Sequence, residues 1–390
     1  MRRVIVVNRF FHPDYSATSR LLSDLTFHLA ARGWKVEVVT SRQRYDDPSV
    51  KLPSRETVRG VSVRRVAATR FGRAFLPGRA IDYLSFYISA FLTLLVHADR
   101  HAIVVAETDP PLISVFAAVA AKLRGARLIN WIQDLFPEVA EALGVTRRAT
   151  ILRSLRDWSL GRARANVVLS EDMGARVARN VVVQHNWADG ELRPIAPSEN
   201  TLLKEWQLTD RFVVVYGGNL GRAHEFDTIA TAAKQVPEAT FVFIGGGAGQ
   251  AALQRDIGGL DNVQFRPYQP NKQALSESLS TAGVQLVSLQ PQLEGLIVPS
   301  KFYGILAFAQ PVIYIGSRDA ELPKLIVQHD CGFVVAMGDG EGLARAIRTL
   351  ANDRQLAAEM GRRGRALHEA RFAPELALAH WEQILMEAGS

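Results

Sequence analysis

Short apolar runs, each followed by a stretch of helical periodicity, recur from one end of this chain to the other, and that alternation constrains the fold more than any single motif. Residues 4–7, 36–40, 61–66, 102–106, 128–132, 166–169 and 181–184 read as the strands of a first half. Residues 212–216, 241–244, 263–265, 284–288, 312–315 and 332–335 read as those of a second. Between strands lie segments such as 18–32, where Leu21, Leu22, Leu25 and Leu29 share one helical face. Strands separated by helices imply parallel sheets, with ligands held outside the carboxyl ends of the strands.

A length of 390 residues exceeds what one core holds. Periodicity breaks over 187–211, where Pro194, Pro197, Ser198 and Asn200 gather. We therefore expect two α/β domains with a cleft between them, the first covering 1–190 and the second 191–371. A last helix after Pro374 carries Leu376, Leu378, Trp381, Ile384 and Leu385 as an apolar stripe.

The net charge of +7 conceals an asymmetry: residues 1–190 hold 28 Lys and Arg against 17 Asp and Glu, and the remainder 18 against 22. Arg55, Arg59, Arg64, Arg65, Arg70, Arg73 and Arg79, followed by the apolar stretch 83–96, resemble a surface that touches anionic lipid. Nucleic acid is the weaker candidate, because no exposed aromatics interleave with the arginines. The stretch 83–96 is too short for a span and reads as a buried or interfacial helix. The single cysteine, Cys331, excludes an intramolecular disulfide and a cysteine metal cluster. The amino terminus has too short an apolar run for a signal peptide. No GxGxxG follows the first strand and no acid ends the second, which argues against NAD chemistry.

The candidate site centres on the stretch from Glu294 to Gly316. A strand precedes it, Pro299 suits a helix start, and the amides there, with Ser300 and Lys301, can meet a phosphate. The plain alternative is a βαβ unit whose Pro-Ser pair only caps a helix. Two glycine clusters, Gly217-Gly-Asn-Leu-Gly221 and Gly245-Gly-Gly-Ala-Gly249, end strands where backbone can approach a ligand closely. Neither is a dinucleotide fingerprint or a Walker loop. Arg222 and Lys301 can neutralise a diphosphate. In the first half, Asp134 sits at a strand's carboxyl end, with helix capping as its plain alternative role. No second carboxylate is identifiable beside it, so paired-carboxylate hydrolysis fits poorly. The loop 8–18 offers Arg9, His12, Asp14, Tyr15 and Ser16 to an acceptor, or else simply caps the first helix through Asp14 or Ser16.

Taken together, Trp131-Ile-Gln-Asp-Leu-Phe-Pro-Glu138, His185-Asn-Trp187, Tyr216-Gly-Gly-Asn-Leu-Gly-Arg-Ala-His224 and Val298-Pro-Ser-Lys-Phe-Tyr303 resemble the bacterial family-four glycosyltransferases that build capsule, exopolysaccharide and O-antigen. The order of these motifs along nearly the whole chain carries the likeness. The resemblance implies a GT-B fold, two Rossmann-like domains facing a central cleft, with residues 372–390 crossing back to the first. It implies an acceptor site in the first domain, a nucleotide-sugar site in the second, a retaining reaction, no metal and no cofactor beyond the nucleoside diphosphate sugar.

Residue by residue, it places the donor against Gly217, Gly218, Asn219, Arg222, Gly245, Gly246, Glu294, Leu296, Ile297, Val298, Pro299, Ser300 and Lys301. Arg9, His12, Asp14 and Ser16 fall to the acceptor, and Asp134, Lys301 and Arg222 to the chemistry. Relatives often carry Arg at Asn219 and Lys at His224, and the glutamate that usually holds the ribose falls at Gly304. The expected activity is transfer of a sugar to a lipid-linked polyprenyl pyrophosphate saccharide at the cytoplasmic face of the inner membrane. A sugar-nucleotide epimerase of the same fold and a non-catalytic nucleotide-sugar binder are the alternatives.

Overall fold

The computed structural model describes residues 2–14, 16–45, 50–71, 76–146, 149–269 and 271–390; Tyr15 and Arg73 lie outside the described residues. The chain forms two compact units. Unit 1 comprises Met1–His185, Gly295–Val298 and Glu375–Ser390, and unit 2 comprises Asn186–Glu294 and Pro299–Pro374. The first crossing thus falls at His185 rather than 190, and four residues expected in the second domain belong with the first.

Unit 1 is built on strands β1 Arg3–Val7, β2 Lys35–Ser41, β3 Arg55–Val58, β4 Val61–Val66, β5 Ala102–Glu107, β6 Arg127–Trp131, β7 Ala165–Val168 and β8 Val181–Val183. Their spatial order is β3-β4-β2-β1-β5-β6-β7-β8, parallel except for the β3–β4 pair. Every residue of β5 is buried, as a central strand covered on both faces must be. Strand order turns back at β1 and β5, so the carboxyl ends of these strands mark a ligand position.

The helix expected over 83–96 runs from Leu76 to His97. Its Pro77–His97 portion is long and apolar enough to cross a membrane, with mean hydropathy 1.4, which corrects the expectation from length. Packing tells against a span. Phe86, Ala90 and Leu94 are fully buried in one core with Ile5, Val39 and Val104. Asp82, also buried, accepts from Thr69 Oγ1 (2.7 Å) and the Phe71 amide (3.0 Å), with the Arg9 guanidinium 3.8 Å away.

Unit 2 carries β9 Phe212–Asn219, β10 Ala239–Gly246, β11 Val263–Arg266, β12 Val284–Ser288, β13 Val312–Ile315 and β14 Gly332–Val335. They are ordered β11-β10-β9-β12-β13-β14, all parallel, with the switch between β9 and β12. Phe241, Phe243, Leu286 and Ile313 join Ile229 and Leu343 in its core.

The last helix, Pro374–Gly389, packs within unit 1. Trp381 lies 4.6 Å from Trp131, centroid to centroid. Glu382 accepts from the Trp34 indole (3.1 Å) and from Arg32 Nε (3.4 Å), contacts that hold its carboxyl below the usual range, and Gln184 Oε1 lies 2.7 Å from His380 Nδ1. Trp381→Ala should cost unit 1 about 3–5 kcal/mol, the usual consequence of emptying a large core aromatic site. Urea unfolding followed by the remaining tryptophan fluorescence measures it, and an unmoved midpoint would remove the helix from the core.

Candidate functional site

In unit 2 the two glycine clusters meet. Gly217, Gly218 and Asn219 are the last residues of β9 rather than a loop, and Gly245 and Gly246 end β10, with Gly245 opposite Gly218 and Gly246 opposite Asn219. Gly218 has φ +107° and Gly245 φ +130°, and a Cβ on Gly245 would lie 2.2 Å from the Gly218 carbonyl oxygen. Only glycine allows this approach.

Lys301 begins the Lys301–Ala307 helix and sets its ammonium 3.5 Å above the Tyr216 ring. A Cβ on Gly218 would stand 3.9 Å from its Cε. The stem is partly exposed, but Nζ is shut from solvent and makes no hydrogen bond. Burial without a carboxylate partner drives its pKa well below the ordinary lysine value. A cation–π contact offsets part of that desolvation.

The loop after β9 is tied to the end of β12. His224 Nδ1 lies 2.5 Å from the Ser288 carbonyl oxygen, the Glu225 amide donates to Ser288 Oγ (2.8 Å), and the Gln290 amide donates to the Ala223 carbonyl (3.0 Å). Burial first, then the Lys301 charge, pushes His224 down to about 4, so the ring is neutral at physiological pH and Nδ1 carries the proton. It therefore does not supply the positive charge that relatives place there. Arg222, on the same loop, is exposed, and no ion pair is seen for it among the described residues. Glu294 accepts from Tyr314 Oη at 2.7 Å, which fixes one carboxylate oxygen. At Gly304 a Cβ would meet nothing within 4 Å, so the place of the usual ribose glutamate is open space.

Two expectations about the donor site change. The helix after Pro299 is seven residues long, and Ser300 makes no side-chain cap bond, so the anion reading rests on Lys301 more than on a helix terminus. Leu296, Ile297 and Val298 group with unit 1: the Leu135 amide donates to the Leu296 carbonyl (2.8 Å), Ile297 bridges Asp134, and the Leu296 side chain is buried. The Leu296 carbonyl is thereby engaged beyond the end of β6.

Unit 1 gathers carboxyls at the ends of β5 and β6. The Thr108 amide donates to the Trp131 carbonyl (3.1 Å), and the Gln133 amide to Thr108 Oγ1 (2.9 Å), stitching the loops that carry Asp109 and Asp134. Asp134 is open to water at its own surface, yet the protein packed around it, and then the Asp109 charge, raise its carboxyl to about 6. Water access tempers that lift, and its upward direction is what the chemistry uses. A second carboxylate therefore does stand near Asp134, contrary to the sequence reading. Nor is Asp134 a helix cap, since Pro137 holds that position before Glu138–Ala142. Glu107 is wholly buried beside the Gln133 side chain, and burial, ahead of Asp109, raises it well above the carboxylate range despite the opposing contact with Gln133.

The acceptor loop is mostly committed inward. Arg9 is buried, donates to Gln43 Oε1 (3.1 Å) and stacks on Phe10 and Tyr83. Asp14, also buried, accepts from the Ser16 amide (2.8 Å) and from the Tyr45 amide. These two shape the loop instead of facing a ligand. His12 is half-buried against Phe27, and Ser16 precedes the first helix without capping it. Arg64 and Arg65 are likewise engaged, Arg64 with Glu37 (2.5 Å) and Arg65 with Glu56 and the His12 carbonyl, so neither serves a lipid surface. Tyr216, Glu107 and Asp109 escaped the sequence reading. The available signals were an aromatic immediately before Gly217-Gly218 and an acid closing an otherwise apolar strand.

Comparison with known proteins fits this geometry. The Glycosyl transferase 4-like domain model matches residues 18–188, and the Glycosyl transferases group 1 model matches 199–367. The chain belongs to the family-four GT-B glycosyltransferases. It is similar to the probable glycosyltransferase WbjE of Pseudomonas aeruginosa, 24% identical over 363 residues and covering 89% of each chain. It also resembles the putative colanic acid biosynthesis glycosyl transferase WcaI of Escherichia coli, 24% identical over 353 residues, 83% of this chain and 85% of that one. Among solved structures, sucrose-phosphate synthase of Thermosynechococcus elongatus superposes with TM-score 0.80 at 17% identity over 99% of both chains. Anabaena HepE in complex with UDP gives 0.74 at 15%, over 99% of this chain and 100% of that one. These establish the GT-B fold, and the family assignment sets the epimerase and the non-catalytic binder aside.

Two outcomes follow for the transferase. Asp134 gains a proton at a higher pH than an ordinary carboxyl does, so turnover should drop along a single-proton acid limb that Asp134→Asn lacks; a pH–rate profile checks this. Glu107, raised in the folded state, leaves stability intact below its unfolded value of about 4.3 and erodes it as pH rises above that value. Glu107→Gln should therefore gain melting temperature over the parent at pH 8 and gain less at pH 5.

Proposed function

We propose that this transferase moves a sugar from a nucleoside diphosphate sugar to a lipid-linked saccharide in surface polysaccharide synthesis, with retention and without a metal. The single observation that carries the donor half is the partnerless Lys301 ammonium over Tyr216, beside the close-packed ends of β9 and β10. A diphosphate there pairs with the buried cation, and Arg222 adds a second positive charge. As the anomeric C–O bond to the diphosphate breaks, charge grows on the leaving oxygen, and a preorganised cation in a dry setting stabilises it. That is the service a metal gives elsewhere. On the acceptor side, Asp134 in its ionised form accepts the hydrogen bond of the attacking hydroxyl. Glu294 contacts the donor sugar in this reading, and the Tyr314 hydroxyl that donates to one of its oxygens supports a fixed carboxylate there. The HepE structures holding UDP and UDP-glucose support a nucleotide-sugar donor, and the WcaI name supports a polysaccharide product. The lipid-linked acceptor and the cytoplasmic, peripheral location at the inner membrane follow from the family resemblance.

Lys301→Ala should slow transfer at least tenfold, since losing one preorganised charge typically costs a few kcal/mol at the transition state. Donor binding should also change its proton balance. Burial lowers the Lys301 pKa in the free protein and an anion restores it, so UDP binding takes up a proton and weakens as pH rises. Calorimetry in buffers of different ionisation enthalpy reads that uptake. Uptake unchanged in the alanine variant would remove Lys301 from the site.

A further inference from the structure

The Leu76–His97 helix shows two apolar faces, and only one is covered. Phe86, Ala90 and Leu94 enter the core, and Tyr87 stacks on Phe116 of the neighbouring Ile113–Arg124 helix at 4.8 Å. Opposite them, Ile81, Leu84, Ile88, Leu92 and Val96 form a ridge at helical spacing and are between 46% and 73% exposed. A helix of 22 residues is about 33 Å long, so the ridge extends well beyond a chance exposed leucine. Phe71, before the helix, and Leu123, on the neighbouring one, continue the exposed apolar surface.

Among the described residues, the exposed charges on these two helices and just before the first are cations. Arg70, Arg79, Lys122 and Arg124 are exposed. The one carboxylate in the sequence of either helix is Asp82, which is buried and hydrogen-bonded. Asp99, past the helix end, is paired with Arg3 at 2.5 Å. An apolar ridge bordered by unopposed cations complements the interface of a bilayer bearing anionic headgroups, where side chains enter the acyl boundary and cations meet phosphate. A second copy of this chain would bring the same cations against themselves.

We propose that this ridge seats the chain on an anionic lipid surface, helix axis parallel to the membrane, with unit 1 above it. This rests on the proposed lipid-linked acceptor and identifies the surface that reaches it. The arginines of β4 take no part, since Arg64 and Arg65 are spent on Glu37, Glu56 and His12.

Flotation with vesicles of phosphatidylcholine containing phosphatidylglycerol, and of phosphatidylcholine alone, tests it without any sugar substrate. The parent should float with the anionic vesicles and be released by high salt. Leu84→Asp with Leu92→Asp, and separately Arg70→Glu with Lys122→Glu, should each lower the bound fraction about tenfold while circular dichroism stays that of the parent. The milder Leu92→Gln guards against misfolding and should lower binding in the same direction. Parent that never floats, variants that float as well as the parent, or a parent dimer in light scattering that Leu84→Asp with Leu92→Asp dissolves, would each overturn the proposal. Transfer to a short-chain, detergent-soluble acceptor should survive the ridge variants. If flotation holds but no lipid-linked acceptor is used, the functional reading fails and the surface stands.

Discussion

A lysine amine buried over an aromatic ring with no acid to balance it is the constraint on which the candidate site of unit 2 depends. Lys301 is held in a state that water would not choose, and the surrounding structure has to maintain that state. The Tyr216 ring supplies the floor, and His224 and Phe226 pack edge-on against that ring at 6.0 and 5.2 Å. The loop bearing His224 is in turn bound to the end of β12. A change that loosens any of these also loosens the cation. The ring contacts and the loop bonds together hold the Tyr216 ring under the lysine.

Unit 1 presents the opposite problem, since its strand ends collect acids. Burial, and then the Asp109 charge, raises the Asp134 carboxyl above the usual range, and burial raises Glu107 in the same direction. Each unit thus places charged groups at the carboxyl ends of strands beside its own switch point, one basic and one acidic. Parallel sheets favour this arrangement, because their loops converge at that edge.

Much of the fold was legible because parallel strands are buried on both faces and leave near-continuous apolar runs, as in β1 and β5. Strand β3 escaped because Arg55-Glu-Thr-Val58 is an antiparallel edge strand, half-exposed and polar, without such a run. The site was legible where its logic is local: Lys301 after Pro299-Ser300, and the glycine pairs closing their strands. It was illegible where partners are remote in sequence. Arg9 meets Gln43 and Asp82, Asp14 meets Tyr45, and the segment 295–298 pairs beside Asp134; none of these is a matter of spacing. Side chains in one loop looked equally available, and only the fold decided which faced inward.

The Trp131–Trp381 contact bears on how the protein is made. Unit 1 begins to emerge from the ribosome first, yet one of its largest core aromatics lies near the other end of the chain. The nascent amino-terminal half must wait, incompletely sealed, through synthesis of all of unit 2 before the last helix closes it. Contacts so distant along the chain are slow to form, and exposed apolar surface during that wait invites chaperones or aggregation. Ribosomes stalled before the final helix would carry an open first unit, and clipping the carboxyl terminus would injure the half of the molecule that was translated earliest.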